Sequence, residues 1–271
     1  MKFQFIDDHR DAFPIRRMCQ VLAVSRSAQE MANQALGDQV TTVYEQSHKT
    51  YGSPRIFQAL QRQGVACSEN RVARLMRQLD LQAQQARTYK STTRRNTADP
   101  VAPNLLLWDF TTARPNEVWL SDITYIRTEA GWLYLAATMD LYSRRIIGWA
   151  MADRQTQDLT LQALQMALGQ RQVLKPLIHH LDRGSQYTSS DYQQLLQDWG
   201  LQVSMNGVGT WYDNAPMESF FGTLKSEWAH HHVYATRQEA RSDLYYYIEA
   251  FYNRQRLHSA LDYVSPITYE T

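Results

Sequence analysis

LIHHLDRGSQY (177–187), followed after a helix and a short strand by WYDNAPMESFFGTLK (211–225), is the stretch on which the reading of this chain turns. Upstream, VWLSDITYI (118–126) sets Asp122 in the middle of a segment patterned as a strand. Asp122, Asp182 and Glu218 lie 60 and then 36 positions apart, so only a fold can bring them together. An acid inside a strand rich in Val, Ile, Leu and Trp is unfavourable unless paired or metal-bound. Singly, Asp182 also reads as a turn aspartate, and Glu218 as an acid favoured by a helix N-terminus. Together, three carboxylates on separate elements form the oxygen-only donor set that a pair of hard divalent ions takes and shares with phosphate.

Working outward, VWLSDITYI alternates Val118, Leu120, Asp122, Thr124 and Ile126 against Trp119, Ser121, Ile123 and Tyr125. A turn at Glu129-Ala130-Gly131 leads into WLYLAATMD, and a turn at 141–144 into RRIIGWAM, which predicts three strands joined as hairpins. Residues 156–170 then read as a helix, LIHHLD as a strand, SSDYQQLLQDWG as a helix and LQVSM as a short strand. Asp213 or Asn214 caps the helix carrying Glu218, where Pro216 is tolerated in the first turn. A last amphipathic helix spans roughly 236–254. This order predicts an α/β ribonuclease H-like core, a mixed five-stranded sheet with helices.

Before it, YGSPRIFQALQRQG (51–64) and SENRVARLMRQLDL (68–81) read as two helices joined by a short turn, the second capped by Ser68. Arg71, Arg74 and Arg77 form a stripe at i, i+3 spacing, opposite Val72, Leu75, Met76 and Leu79. Such a stripe suits a phosphate backbone, and equally a solvated helix face. The net charge of +1 conceals an asymmetry. Residues 1–100 carry 15 Lys/Arg and 9 Asp/Glu, whereas 101–271 carry 13 and 18. The domains are therefore placed at 1–81, a small all-α, helix-turn-helix-like DNA-binding module; 82–104, a polar basic linker; and 105–271, the core with its C-terminal helix and tail.

Two distant cysteines, Cys19 and Cys67, exclude a zinc site and a disulfide framework by their spacing. No run approaches the ~18 apolar residues of a membrane span, and the start lacks signal-peptide regions, so a cytoplasmic protein is expected.

DFTTARPNEVWLSDITYI (109–126), DLYSRRIIGWAM (140–151), HLDRGSQYTS (180–189), DNAPMESFFGTLKSE (213–227) and YNRQRLHSALDYVSPITYE (252–270) strongly resemble the OrfB-type transposases of the insertion sequence three family, which are related to retroviral integrases. The resemblance covers nearly the whole chain. It implies Asp122, Asp182 and Glu218 as catalytic metal ligands for two Mg²⁺ ions, with Mn²⁺ as a substitute. The implied activity is cleavage at the terminal inverted repeats of an element and strand transfer of the 3′-hydroxyl. The implied partners are double-stranded DNA at the repeats and at the target, an upstream OrfA-type product or fusion, and at least a dimer in the synaptic complex. The implied setting is bacterial, nucleoid-associated when DNA is bound.

Candidate DNA contacts are Arg71, Arg74, Arg77, Arg183, Gln186, Asn214, Lys225, Arg254 and Arg256, with Tyr187 a further candidate lining residue. Lys225 falls two helical turns beyond Glu218, on roughly its face. His180 is expected beneath the site as a satisfied core histidine. The family usually carries a Ser where Leu181 stands, a basic residue at Trp108, and an Arg-Lys pair in the loop that here reads SMNGVGTWYDN (204–214), with Gly207 and Val208 in its middle. That difference keeps open a second reading, a weakened or non-catalytic DNA-binding regulator derived from a transposase. A ribonuclease H-type nuclease acting on RNA–DNA hybrids is a third.

Overall fold

Ser25 and Ser68 begin two of the N-terminal helices in the way their side chains favour. Ser25 Oγ accepts the Ala28 amide at 3.0 Å, and Ser68 Oγ accepts that of Arg71 at 3.3 Å. The computed structural model describes residues 2–84, 102–173, 175–182, 184–206 and 214–271, the side chains of Phe3 and Arg26 excepted. These fall into two units, 1–85 and 86–271.

The first unit contains α1 (Lys2–Asp8), α2 (Ile15–Val21), α3 (Arg26–Gln46), α4 (Ser53–Arg62) and α5 (Glu69–Gln78). Gly64, at a φ of +76°, turns the chain out of α4, a conformation that suits a residue without Cβ. Val40, Ile56, Leu60 and Val72 form the fully buried centre. The acid end of α1 is tied to α5: Asp7 pairs with Arg71 Nε at 2.8 Å and Arg74 Nη2 at 2.6 Å. Ser68 Oγ donates to Asp8 at 2.7 Å. Cys19 and Cys67 are free and buried.

The second unit is built on a five-stranded sheet of order β3-β2-β1-β4-β5. Strands β1 (Val118–Thr128), β2 (Gly131–Asp140) and β3 (Ile146–Ala152) are antiparallel neighbours, whereas β4 (Ile178–Leu181) and β5 (Gln202–Met205) run parallel to β1. The parallel strands arrive by helical crossovers, α6 (Gln157–Gln170) and α7 (Ser190–Trp199). One sheet face packs on these helices: Trp119, Leu164, Leu168, Leu181, Tyr192 and Leu196 share one apolar cluster. Gly148 lets α6 lie flush on β3, because a Cβ there would collide with the Ala163 carbonyl and Ala167.

Two later helices, α8 (Ala215–Thr223) and α9 (Arg237–Tyr246), lie against β1. Each continues into a π-helical turn, Leu224–Trp228 after α8 and Tyr247–Tyr252 after α9, so the predicted last helix is one rod with a wider final turn. The edge strand β3 is closed by Asn253, whose side chain accepts from the Ile146 amide at 3.0 Å and donates to the Ile146 carbonyl at 2.9 Å, as a neighbouring strand would. The short α10 (Pro266–Glu270) ends with Glu270 accepting from Ser143, Arg145 and Arg171. Among the described residues no helix is long and apolar enough to cross a membrane.

Candidate active site

Strand register sets two of the acids side by side. Ser121 on β1 pairs with Leu181 on β4, so Asp122 and Asp182 occupy the next level on adjacent parallel strands, where chains run about 4.8 Å apart. Asp122 sits mid-strand, and its Oδ1 accepts the Ile123 amide at 2.7 Å. Asp182 lies just past the end of β4, its Oδ1 accepting the Gly184 amide at 2.8 Å in an Asx-type turn. A side chain at 184 would press on that carboxylate and on Gln186, each 2.9 Å from where its Cβ would lie. Glu218 is exposed in the first turn of α8, its amide donating to the Asn214 carbonyl at 3.1 Å.

The field ties the three together. Burial pushes the Asp122 carboxyl well above the usual carboxylate range, the charges of Asp182 and Glu218 push it further, and Lys225 opposes them. Asp122 is sunk among protein atoms but keeps some solvent contact. Oxygen-only donors that repel one another suit a hard divalent cation. Among the described residues, however, no three His, Cys, Asp or Glu side chains stand close enough together to hold a metal ion. The donor chemistry fits; the acids are joined by field rather than by a closed cage.

The floor under the acids is polar and largely hydrogen-bonded, although the buried His179 Nδ1 and Tyr187 hydroxyl have no hydrogen-bond partner among the described residues. His180 is fully buried, with Nδ1 2.8 Å from Ser204 Oγ and Nε2 2.7 Å from Asn206 Oδ1, a core histidine as expected. His179 Nε2 lies 2.8 Å from the Tyr192 hydroxyl, and burial lowers its pKa to about 3, so it stays neutral. Ser121 and Thr138, directly opposite each other, share a 2.7 Å hydrogen bond.

Several candidate DNA contacts are placed elsewhere by the fold. Arg71 is buried, held by Asp7 and by Asn33 at 2.7 Å, and Arg74 is held by the Asp7 carboxylate and carbonyl; both fix α1 to α5. Arg256 is buried in a two-point pair with Glu227, both contacts at 2.7 Å, because the chain after α9 folds back beneath the π-helical turn. Asn214 is buried against β1, donating to the Ser121 carbonyl at 3.4 Å, and caps α8 through its backbone only. Tyr187 is also buried, its ring edge-on to Tyr192 at 5.3 Å and its hydroxyl under the charges of Asp182 and Asp122, so it belongs to the floor.

Arg77 and Arg254 are exposed, and Gln186 is half-buried, donating to the Gln155 carbonyl at 3.5 Å. Lys225 lies in the π-helical turn with Nζ 4.7 Å from the Tyr125 ring centre and under the attraction of Asp122. Arg183, Gly207, Val208 and Asp213 lie outside the described residues, as does most of the 82–104 linker. Sequence reading missed Asn253 as the clamp on β3; its signal was the Tyr252-Asn253-Arg254 word in a segment otherwise read for charge.

Known families match along the chain in the same order: an HTH-like domain at 31–89 and integrase core domains at 112–210 and 218–271. The 31 kDa protein of insertion element IS600 from Shigella sonnei is 43% identical over 93% of this chain and 97% of its own length. Transposase InsF for insertion sequence IS3A from Escherichia coli is 40% identical over 100% of this chain and 98% of its own. Among solved structures, the HTLV-2 integrase catalytic core domain in complex with magnesium is 16% identical, with a TM-score of 0.45, over 58% of this chain and 98% of that one. With identity at this level running end to end, the chain belongs to the IS3 family of insertion-sequence transposases.

Proposed function

We propose that this chain cleaves DNA at the terminal inverted repeats of its insertion sequence and joins the resulting 3′-hydroxyl to target DNA, with Asp122, Asp182 and Glu218 as the ligands of two Mg²⁺ ions. The observation that carries this reading is the register that sets Asp122 and Asp182 on adjacent strands, with the Glu218 charge acting on the same centre. When bound, Mg²⁺ or Mn²⁺ would supply charge to activate the attacking oxygen and stabilise the leaving 3′-oxygen.

The protein's own part is placement. Mid-strand Asp122 is rigid, the Gly184 amide aims Asp182, and α8 carries the more exposed Glu218 toward the strands. Lys225, drawn toward Asp122, would meet a DNA phosphate beside the acids, and exposed Arg77 and Arg254 would take backbone phosphates. No covalent enzyme nucleophile is needed. The boundaries 1–81, 82–104 and 105–271 divide DNA recognition from chemistry, with a dimer or larger assembly joining two ends and an upstream OrfA-type partner completing recognition.

The test is strand transfer of a labelled terminal-repeat oligonucleotide with Mg²⁺ or Mn²⁺, comparing wild type with Asp182→Asn, each with and without the upstream partner. Joined product from wild type alone, with DNA binding equal in both, is expected. Binding without product in every wild-type reaction would instead establish the regulator reading, which rests on Gly207 and Val208 standing where the family carries positive charge.

A further inference from the structure

Beyond Asp122, β1 and β2 continue as a hairpin to the turn at Glu129 and Ala130. Tyr125 and Arg127 share one face of β1, and Trp132 stands directly opposite Arg127. Trp132 is 46% exposed, and its ring meets Tyr125 edge-on, with centres 5.0 Å apart and planes at 79°. Three cations surround this pair. Lys225 Nζ lies 4.7 Å from the Tyr125 ring centre, Arg127 is exposed, and Arg237 Nε donates to the Trp132 carbonyl at 2.9 Å. The Arg237 guanidinium also covers Gly131, 2.7 Å from where a Cβ would lie. The acid on this hairpin, Glu129, is out on the turn.

A cross-strand aromatic pair that only stabilises a hairpin needs neither an exposed indole nor a ring of cations. Aromatic faces interleaved with positive charge are how proteins hold unpaired nucleotides: the rings stack on bases and the cations follow the phosphates. Tyr125 is three residues along β1 from Asp122, about 10 Å of backbone at ~3.3 Å per residue, and its side chain leaves the strand on the other face; Lys225, over the Tyr125 ring and under the attraction of Asp122, links the two. We infer that Trp132 and Tyr125, flanked by Lys225, Arg127 and Arg237, form a stacking site for an unpaired nucleotide of the DNA being processed. This rests on the reading of the acids as a DNA-processing site.

The experiment measures binding of the full chain in EDTA, so that no metal chemistry contributes. Fluorescein-labelled duplexes of one sequence are compared, one fully paired and one with its last three pairs mismatched. Wild type should bind the frayed duplex more tightly. Trp132→Ala should lose roughly tenfold on it and about twofold or less on the paired duplex, whereas Trp132→Phe should keep most of the preference. Arg127→Ala, at an exposed position, should weaken binding of the frayed duplex and flatten its salt dependence.

Equal binding of both duplexes by wild type, or a Trp132→Ala variant indistinguishable from wild type, overturns the inference. So does a Trp132→Ala change confined to self-association without DNA, which would assign the face to a protein contact. If strand transfer fails while the frayed-end preference and its loss in Trp132→Ala persist, the reading of the acids falls and the stacking site stands. If strand transfer succeeds with no effect of Trp132, the reverse holds.

Discussion

Among the buried groups through which acidification from pH 7 to 4 should act on the second unit, two pull in opposite directions, and a substitution at either one separates them. His179, fully buried on β4, has its pKa lowered to about 3, first by burial and then by His180. The unfolded chain binds that proton near 6.5, where the folded chain does not, so stability present above pH 6.5 is lost as pH falls toward 3. Between pH 7 and 4 that loss is about 3 kcal/mol. Asp140, also fully buried, has its pKa raised by burial to about 6, although it accepts the Asn116 amide at 2.9 Å and the Tyr142 amide at 3.1 Å. Here the folded state binds the proton first, between about 6 and 3.8, so stability rises as pH falls, by about 2 kcal/mol over the same range.

Relative to wild type, Asp140→Asn should therefore lose about 2 kcal/mol more between pH 7 and 4, and His179→Gln about 3 kcal/mol less. Urea unfolding followed by tryptophan fluorescence measures this in the intact chain, because all seven tryptophans lie between 108 and 228 and report only the second unit. Other titrating groups cancel in the variant-minus-wild-type difference. If both variants parallel wild type within about 0.5 kcal/mol across the range, a size at which surface changes are indistinguishable, the reasoning fails.

Three further outcomes are expected. Gly148→Ala should destabilise the second unit by about 1–3 kcal/mol through overpacking against α6; wild-type stability in the same urea experiment would mean that α6 does not lie flush on β3. Arg256→Ala removes the two-point partner of the largely buried Glu227 and should cost up to about 3 kcal/mol, with the salt dependence of DNA binding by the folded protein unchanged; a lower slope would restore Arg256 as a phosphate contact. In the first unit, Arg77→Ala should reduce the salt slope of DNA binding by about one without loss of helicity, whereas Arg71→Ala should loosen α1 and lower the melting temperature followed by circular dichroism.

The fold was legible because its signals are local. Alternation in VWLSDITYI, the two hairpin turns and the helix–strand–helix–strand run that follows predict three antiparallel strands and two parallel ones, and the sheet has that order. Asp122 beside Asp182 follows from the same logic, since parallel neighbours of a central strand bring their ends to one level. The arginines were not legible in this way. Charge at i, i+3 spacing identifies a face but not what covers it, and the acid that covers Arg71 and Arg74 is Asp7, 64 positions before Arg71. Asn214 was read for its amide, whereas packing of α8 on β1 buries it.

The C-terminal word shows how a misread charge can still bear on the site. Arg256 reaches no surface, yet its partner Glu227 lies in the same π-helical turn as Lys225, two positions away. Through Thr223 the helix keeps its α-helical phase, so Lys225 remains near the Glu218 face as its spacing predicts; beyond it the wider turn redirects the chain. Such turns are frequent at functional sites, and they hold only where surrounding contacts fix them. Arg256 supplies that restraint from one side, with Trp228 packed on Phe251 at 5.5 Å and on Tyr247 at 5.2 Å beside it. Asn253, three residues before Arg256, is bonded to β3. The tail therefore braces the sheet edge and the turn together, and with them the turn that carries Lys225.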